Sequence, residues 1–76
     1  MNEYQEYQNK LLDSMDDIFI EMFGKGGALS IYHRMGKAFE REVAEDPDRY
    51  SDKENKRKLI VNLISLEYDL NTVWYE

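Results

Sequence analysis

The chain has 76 residues, of which 16 are acidic and 10 basic, so its formal net charge is −6 at pH 7. This length predicts one helical domain over residues 1–76, because a second domain would have too little core to fold. The acidity argues against direct binding to nucleic acid, and the absence of cysteine excludes disulfides and thiolate metal sites.

The first predicted helix spans residues 3–23. Asn2 and Gln5 have the spacing of an N-terminal capping box. Apolar residues then recur three and four positions apart, which places them on one stripe of a helix. This stripe consists of Tyr4, Tyr7, Leu11, Met15, Ile18 and Met22. Gly24 is a natural helix stop, and the glycine-rich segment 25–27 predicts a flexible turn.

The second predicted helix spans residues 29–45, and Pro47 ends it because proline disfavours helical geometry at the preceding residue. Its apolar face comprises Ile31, Tyr32, Met35, Ala38, Phe39 and Val43. Gly36 lies beside this face, where the missing side chain would let a neighbouring helix approach closely. Arg34, Lys37 and Arg41 form a short basic stripe, with His33 beside it.

The third predicted helix spans residues 52–74, with a capping box formed by Ser51 and Glu54. It has two apolar faces rather than one. The first comprises Leu59, Leu63, Leu66, Leu70, Val73 and Trp74, and the second comprises Ile60, Val61, Ile64, Tyr68 and Tyr75. Two interpretations remain open: one face docks a partner or a second copy, or the other two helices wrap the third. The candidate residues for self-association are Ile60, Ile64, Tyr68 and Tyr75.

Three helices with short connections predict an all-α fold, a small up-down-up three-helix bundle that forms a homodimer through the third helix if one face is left uncovered. No apolar run has the length of a transmembrane span, and the polar, acidic first residues differ from a secretory signal. We therefore expect a cytoplasmic protein without membrane contact.

Acidic side chains line the first predicted helix on the side opposite its apolar stripe. They are Glu3, Glu6, Asp13, Asp17 and Glu21. A rigid helix would hold these carboxylates in a fixed row, as a mimic of nucleic-acid phosphates requires. They are the candidate partner-binding residues, and the expected partner is a protein with a basic surface, for example a nucleic-acid-binding protein. The alternative is an ordinary solvated face.

We predict no catalytic residue, cofactor or metal site. His33 is the single histidine, has no acid four positions away, and is expected in solvent. Carboxylates such as those of Asp13, Asp17 and Glu21 usually need loop carbonyls to hold a cation. Segment 24–27 lacks the spacing of a phosphate-binding loop. A chain of this length also has little volume for a small-molecule cleft.

The stretch Ser65-Leu66-Glu67-Tyr68-Asp69, with Tyr75 beyond it, resembles the Ser-x-Glu-x-Asp stretch of the small helical sporulation phosphatases that act on response regulators. That family has leucine where Tyr68 stands, and the preceding helix and loop follow another pattern. The resemblance implies an aspartyl-phosphate phosphatase with Asp69 in its site.

Three hypotheses follow. The leading one is a small, acidic, non-enzymatic protein that docks on a protein partner and inhibits or regulates it, as phage-encoded anti-defence proteins such as anti-CRISPR proteins and DNA mimics do. The alternative is a structural subunit that forms a homo-oligomer. The third is the phosphatase-like regulator.

Overall fold

A computed structural model describes residues 2–75, with the side chains of residues 2–69, and its regular structure is entirely helical. The helices are α1 (Glu3–Ser14), α2 (Asp17–Glu45) and α3 (Lys53–Tyr75), with a short 3-10 helix at Arg49–Ser51. The structure confirms the predicted all-α class. The described residues contain three α-helices, the number expected for a small three-helix bundle, and no strand. The side chains of Leu70, Val73, Trp74 and Tyr75 lie outside the described residues.

The chain divides into two compact units, unit 1 (Met1–Gly36) and unit 2 (Lys37–Glu76). Unit 1 holds α1 and the part of α2 up to Gly36, and unit 2 holds the rest of α2, the 3-10 helix and α3. No helix within residues 2–75 combines the length and the apolar character needed to cross a membrane.

The N-terminus of α1 has the predicted capping box. The Asn2 side chain accepts a hydrogen bond from the backbone N–H of Gln5 at 2.8 Å. The Gln5 side chain in turn accepts from the backbone N–H of Asn2 at 3.4 Å. Glu3 and Glu6 lie in the first turn, where their negative charge interacts favourably with the helix dipole.

The first predicted helix is broken near its middle. Helix α1 ends at Ser14 and Met15 is extended, with ψ of 156°. The side chain of Asp16 then accepts a hydrogen bond from the N–H of Ile18 at 3.0 Å and caps the start of α2. Ser and Asp side chains compete with the helix for backbone hydrogen bonds, which explains a break at Ser14-Met15-Asp16. The prediction of one helix over residues 3–23 is therefore wrong.

Gly24 interrupts α2 without ending it. Its φ of 72° and ψ of 170° are non-helical, and this region of backbone space is accessible almost only to glycine. Helical geometry resumes at once, so Lys25, Gly26 and Gly27 lie within α2 and not in the predicted turn. A single residue with unusual backbone angles redirects the chain here, without a connector of several residues.

The core of unit 1 forms around the helix break. Its buried residues are Met15, Ile18, Phe19, Ala28 and Met35. The rings of Phe19 and Tyr32 contact each other edge to face, with centroids 5.3 Å apart. A Cβ at Gly36 would lie 2.7 Å from the Tyr32 ring. Gly36 therefore accommodates a side chain of its own helix, which differs from the predicted role of admitting a neighbouring helix.

Unit 2 buries Phe39, Tyr50, Leu59 and Ile60. Helix α2 ends at Glu45, as predicted, and the Arg49 guanidinium then lies over the Tyr50 ring at 5.6 Å from its centroid. Asp52 caps α3 by accepting from the N–H of Glu54 at 2.9 Å, while the Ser51 hydroxyl donates to the Asp48 carbonyl. The predicted cap at Ser51 is wrong, because Ser51 belongs to the 3-10 helix and Asp52 directly precedes the first residue of α3.

Candidate functional site

The five acidic candidate residues all lie in unit 1 and are all exposed. Glu3, Glu6 and Asp13 belong to α1, whereas Asp17 and Glu21 belong to α2. Because the helix breaks between Ser14 and Asp17, these side chains do not form a row on one rigid helix. Their role in partner binding remains a prediction.

Two of these acids line one open recess of about 580 Å3, which we call the acidic recess. Asp13 from the end of α1 and Asp17 from the start of α2 both line it. The other lining residues are Asn9, Leu12, Ile20 and Lys25. Lys25 is the one base among them. The recess therefore combines two carboxylates, one ammonium group and two aliphatic side chains.

A second open groove, of about 650 Å3, lies between α1 and α2 within unit 1. We call it the tyrosine groove. One wall is a stripe of α1 composed of Tyr4, Tyr7, Gln8 and Leu11. The other is a stripe of α2 composed of Gly26, Leu29, Ser30, His33 and Arg34. The groove is open to solvent rather than an enclosed small-molecule cleft, so the expectation that the chain has little volume for such a cleft stays a prediction.

The groove exists because the apolar stripe of α1 is not covered along its whole length. Tyr4 is 67 % exposed and Tyr7 is 56 % exposed, and no residue of α1 is buried. The three–four spacing of apolar residues identified the stripe. It did not show that the side chains of the stripe before Met15 are not buried. His33 lies in solvent, as expected, yet on the rim of this groove.

The second half of the described part of α3 forms a third surface. No side chain from Val61 to Asp69 is buried, and we call these residues the α3 apolar segment. Tyr68 is 70 % exposed and Ile64 is half-buried, so both remain candidates for self-association. Ile60 is 0 % exposed. The prediction that Ile60 contributes to an interface is wrong, because the fold already buries it.

No group of three or more His, Asp or Glu side chains is placed to hold a metal ion within the described part of the chain. The carboxylates of Asp13, Asp17 and Glu21 form no such group.

Comparison with known protein families, curated proteins and solved structures finds no match to this chain. The phosphatase-like role suggested by residues 65–69 of α3 stays a hypothesis.

Proposed function

We propose that this chain is a small acidic binding protein that docks on a protein partner through unit 1 and thereby inhibits or regulates it. The observation that carries the proposal is the acidic recess, where Asp13 and Asp17 lie beside aliphatic side chains. An arginine or lysine of a partner matches this chemistry. Its aliphatic stem packs against Leu12 and Ile20, and its charged end binds the carboxylates.

The surrounding charge supports the same proposal. Glu3, Glu6 and Glu21 are exposed on the same unit and add to the negative potential. Such a potential steers a basic surface toward the recess and favours partners that normally hold phosphates. The expected partner is a nucleic-acid-binding protein whose basic groove is occupied, as in inhibitors of the phage anti-defence type.

The test compares two variants with the same net charge. In the first, Glu6→Gln, Asp13→Asn and Asp17→Asn neutralise acids of unit 1. In the control, Glu42→Gln, Glu45→Gln and Asp48→Asn neutralise exposed acids of unit 2. Wild type and both variants are used for affinity capture from a bacterial lysate, and the Kd is then measured with the captured protein.

We expect the first variant to bind at least about tenfold more weakly, since loss of interfacial charge contacts typically costs more than 1.4 kcal/mol. The control variant should bind like wild type. Lys25→Gln should instead strengthen binding, because it removes the one cation that competes for the recess. Equal Kd values for the two triple variants would contradict the proposal, provided that circular dichroism shows the same helicity in both.

A second candidate function is a structural subunit that assembles with copies of itself. The α3 apolar segment supports it, since Val61, Leu66 and Tyr68 are exposed, and large exposed apolar patches on a small protein usually mark association. Sedimentation equilibrium of the wild-type chain should show a mass that rises above the monomer mass with concentration. A monomer at every concentration would remove this candidate.

A further inference from the structure

We infer that α3 of one copy of this chain pairs in antiparallel orientation with α3 of a second copy. The contact uses one side of the helix, composed of Lys58, Val61, Ser65, Tyr68 and Asp69, which we call the α3 exposed face. The inference rests on the self-assembly candidate and specifies its contact. It is independent of docking through the acidic recess, whose lining residues all belong to unit 1.

The α3 exposed face is one continuous side of the helix. Successive residues of a helix are turned by about 100°, so these five residues fall within a sector of about 100°. All five are exposed. Leu59 and Ile60, which lie on the opposite side of α3, are buried in unit 2. The helix therefore packs on its own unit with one side and leaves the other side available to a partner.

The order of residues on this face makes it complementary to itself in the reversed direction. It begins with a cation, continues with Val61, Ser65 and Tyr68, and ends with an acid. The midpoint between Val61 and Tyr68 and the midpoint between Lys58 and Asp69 are one residue apart, or about 1.5 Å along the helix. A single two-fold axis at this position brings Val61 of each copy to Tyr68 of the other, and Lys58 to Asp69.

The side chains at the crossing suit a close contact between helices. Ser65 lies next to the two-fold axis, and the distance between two packed helices depends on the size of the side chains where they cross. Tyr68 is 70 % exposed and Val61 is 51 % exposed, so pairing removes aromatic and aliphatic surface from water. Tyrosine offers a large contact area at a small cost in side-chain entropy, which is why it is frequent in interfaces.

Charge along the whole of α3 favours the antiparallel orientation. Residues 53–58 contain four bases and one acid, whereas residues 59–76 contain three acids and no lysine or arginine. A parallel pair would place bases beside bases and acids beside acids, and an antiparallel pair brings opposite charges together. Arg57 forms an ion pair with Glu54 of its own helix at 3.0 Å. The register is therefore assigned from Lys58 and Asp69, which are both exposed.

Helix α1 is a poorer match for the α3 exposed face. Outside α3, the large exposed apolar side chains of the described residues are Tyr4 and Tyr7, which both lie on α1. The one base of α1 is Lys10, and its most distant acid within the helix, Glu3, is seven positions away. The two charged residues of the α3 exposed face are eleven positions apart. Helix α1 therefore cannot pair with both charges at once, whereas a second α3 can.

A contact of this kind joins the same surface of two copies. It closes at a dimer, because each copy uses its one α3 exposed face. About three turns of helix on each copy form an interface at the small end of the usual range, so we expect a weak dimer. The mass should rise with concentration toward that of two copies and not beyond it.

The test reverses the two charges separately and together. Lys58→Glu brings two acids together at both ends of the contact, and Asp69→Lys brings two bases together there. The double variant carries both substitutions and restores opposite charges. The controls are Lys37→Glu and Glu45→Lys, which make the same changes in charge at exposed positions of α2 in unit 2. Circular dichroism checks that all variants keep the helicity of wild type.

Sedimentation equilibrium gives the dimer Kd of each protein and of an equimolar mixture of the two single variants. We expect each single variant to raise the Kd at least about tenfold, because the two-fold axis repeats each change twice. The double variant should return to the wild-type Kd, and both controls should keep it. The mixture should dimerise at concentrations where each single variant alone is monomeric, since opposite charges then meet at both ends.

Three results would overturn the inference. If the single variants dimerise with the wild-type Kd, another surface forms the contact, and only the self-assembly candidate survives. If neither the mixture nor the double variant recovers, Lys58 and Asp69 do not meet across a two-fold axis, and the antiparallel register is wrong. If wild type is monomeric at every concentration, both the inference and the self-assembly candidate fail.

Discussion

Gly24 and Gly26 lie two positions apart in the sequence and have different structural roles. Gly24 has a φ of 72°, where a side chain is strained whatever space surrounds it. Gly26 lies in helical backbone, and a Cβ there would meet only open space. The sequence pattern predicts a helix stop at Gly24 and a turn at Gly26. Backbone angles separate them, because only Gly24 changes the direction of the chain.

Gly24→Ala should therefore destabilise the fold by about 1–3 kcal/mol, the usual cost of a residue held in a glycine-only backbone region. Gly26→Ala should stabilise it by roughly 0.5–1 kcal/mol, because alanine loses less conformational entropy in a helix. Urea unfolding followed by circular dichroism measures both changes. If the two substitutions have effects of the same sign, the assignment of Gly24 alone to a glycine-only backbone conformation is incorrect.

At the scale of the element, α1 differs from the rest of unit 1 because it buries no residue. Its capping box and the acids of its first turn support it locally. Contributions of this kind are each about 1 kcal/mol or less, and a twelve-residue helix is marginal in water without tertiary packing. The buried residues next to it are Met15 and those of α2.

Backbone amides of α1 should consequently exchange with solvent faster than those of α2 between Ala28 and Met35, two residues that are buried. Hydrogen exchange followed by NMR measures this at single residues. Docking of a ligand in the tyrosine groove should slow exchange in α1, since Tyr4 and Tyr7 form one wall. Equal protection of the two helices in the free protein would show that α1 is held by more than its local interactions.

At the scale of the molecule, two kinds of exposed surface, one acidic and one apolar, occur on one small chain. Unit 1 carries the exposed acids and the acidic recess, and α3 carries an apolar surface without basic residues between Val61 and Asp69. The two proposed associations therefore depend on salt in different ways. Contacts between exposed charges are screened, whereas burial of apolar surface is not.

Raising the salt concentration from about 0.05 M to 0.5 M shortens the Debye length to well under 10 Å. Docking on a basic partner should weaken at least about tenfold over this range, mainly through a slower association rate. Self-association through the α3 apolar segment should change much less. Titrations of both reactions against sodium chloride separate the two proposed associations. A partner affinity that does not vary with salt would contradict an electrostatic docking surface.

The candidate sites were predictable only in part. Charge is readable residue by residue, so the acids of unit 1 could be named from the sequence. Only the structure shows that Lys25 lines the same recess as Asp13 and Asp17, in a chain that breaks after Ser14 and bends at Gly24. Helical periodicity in the sequence does not reveal either feature, since it continues across both positions.

The sequence by itself determined the helical class, the cap at Asn2, the end of α2 before Pro47 and the apolar stripes. These features depend on local propensity, capping and the 3.6-residue period, which act between neighbours in the chain. Only the tertiary structure decided that Ile60 is buried while Tyr4, Tyr7 and Tyr68 are exposed. A stripe shows which side of a helix is apolar. How far along that side it is covered depends on residues distant in sequence, and no local pattern contains that information.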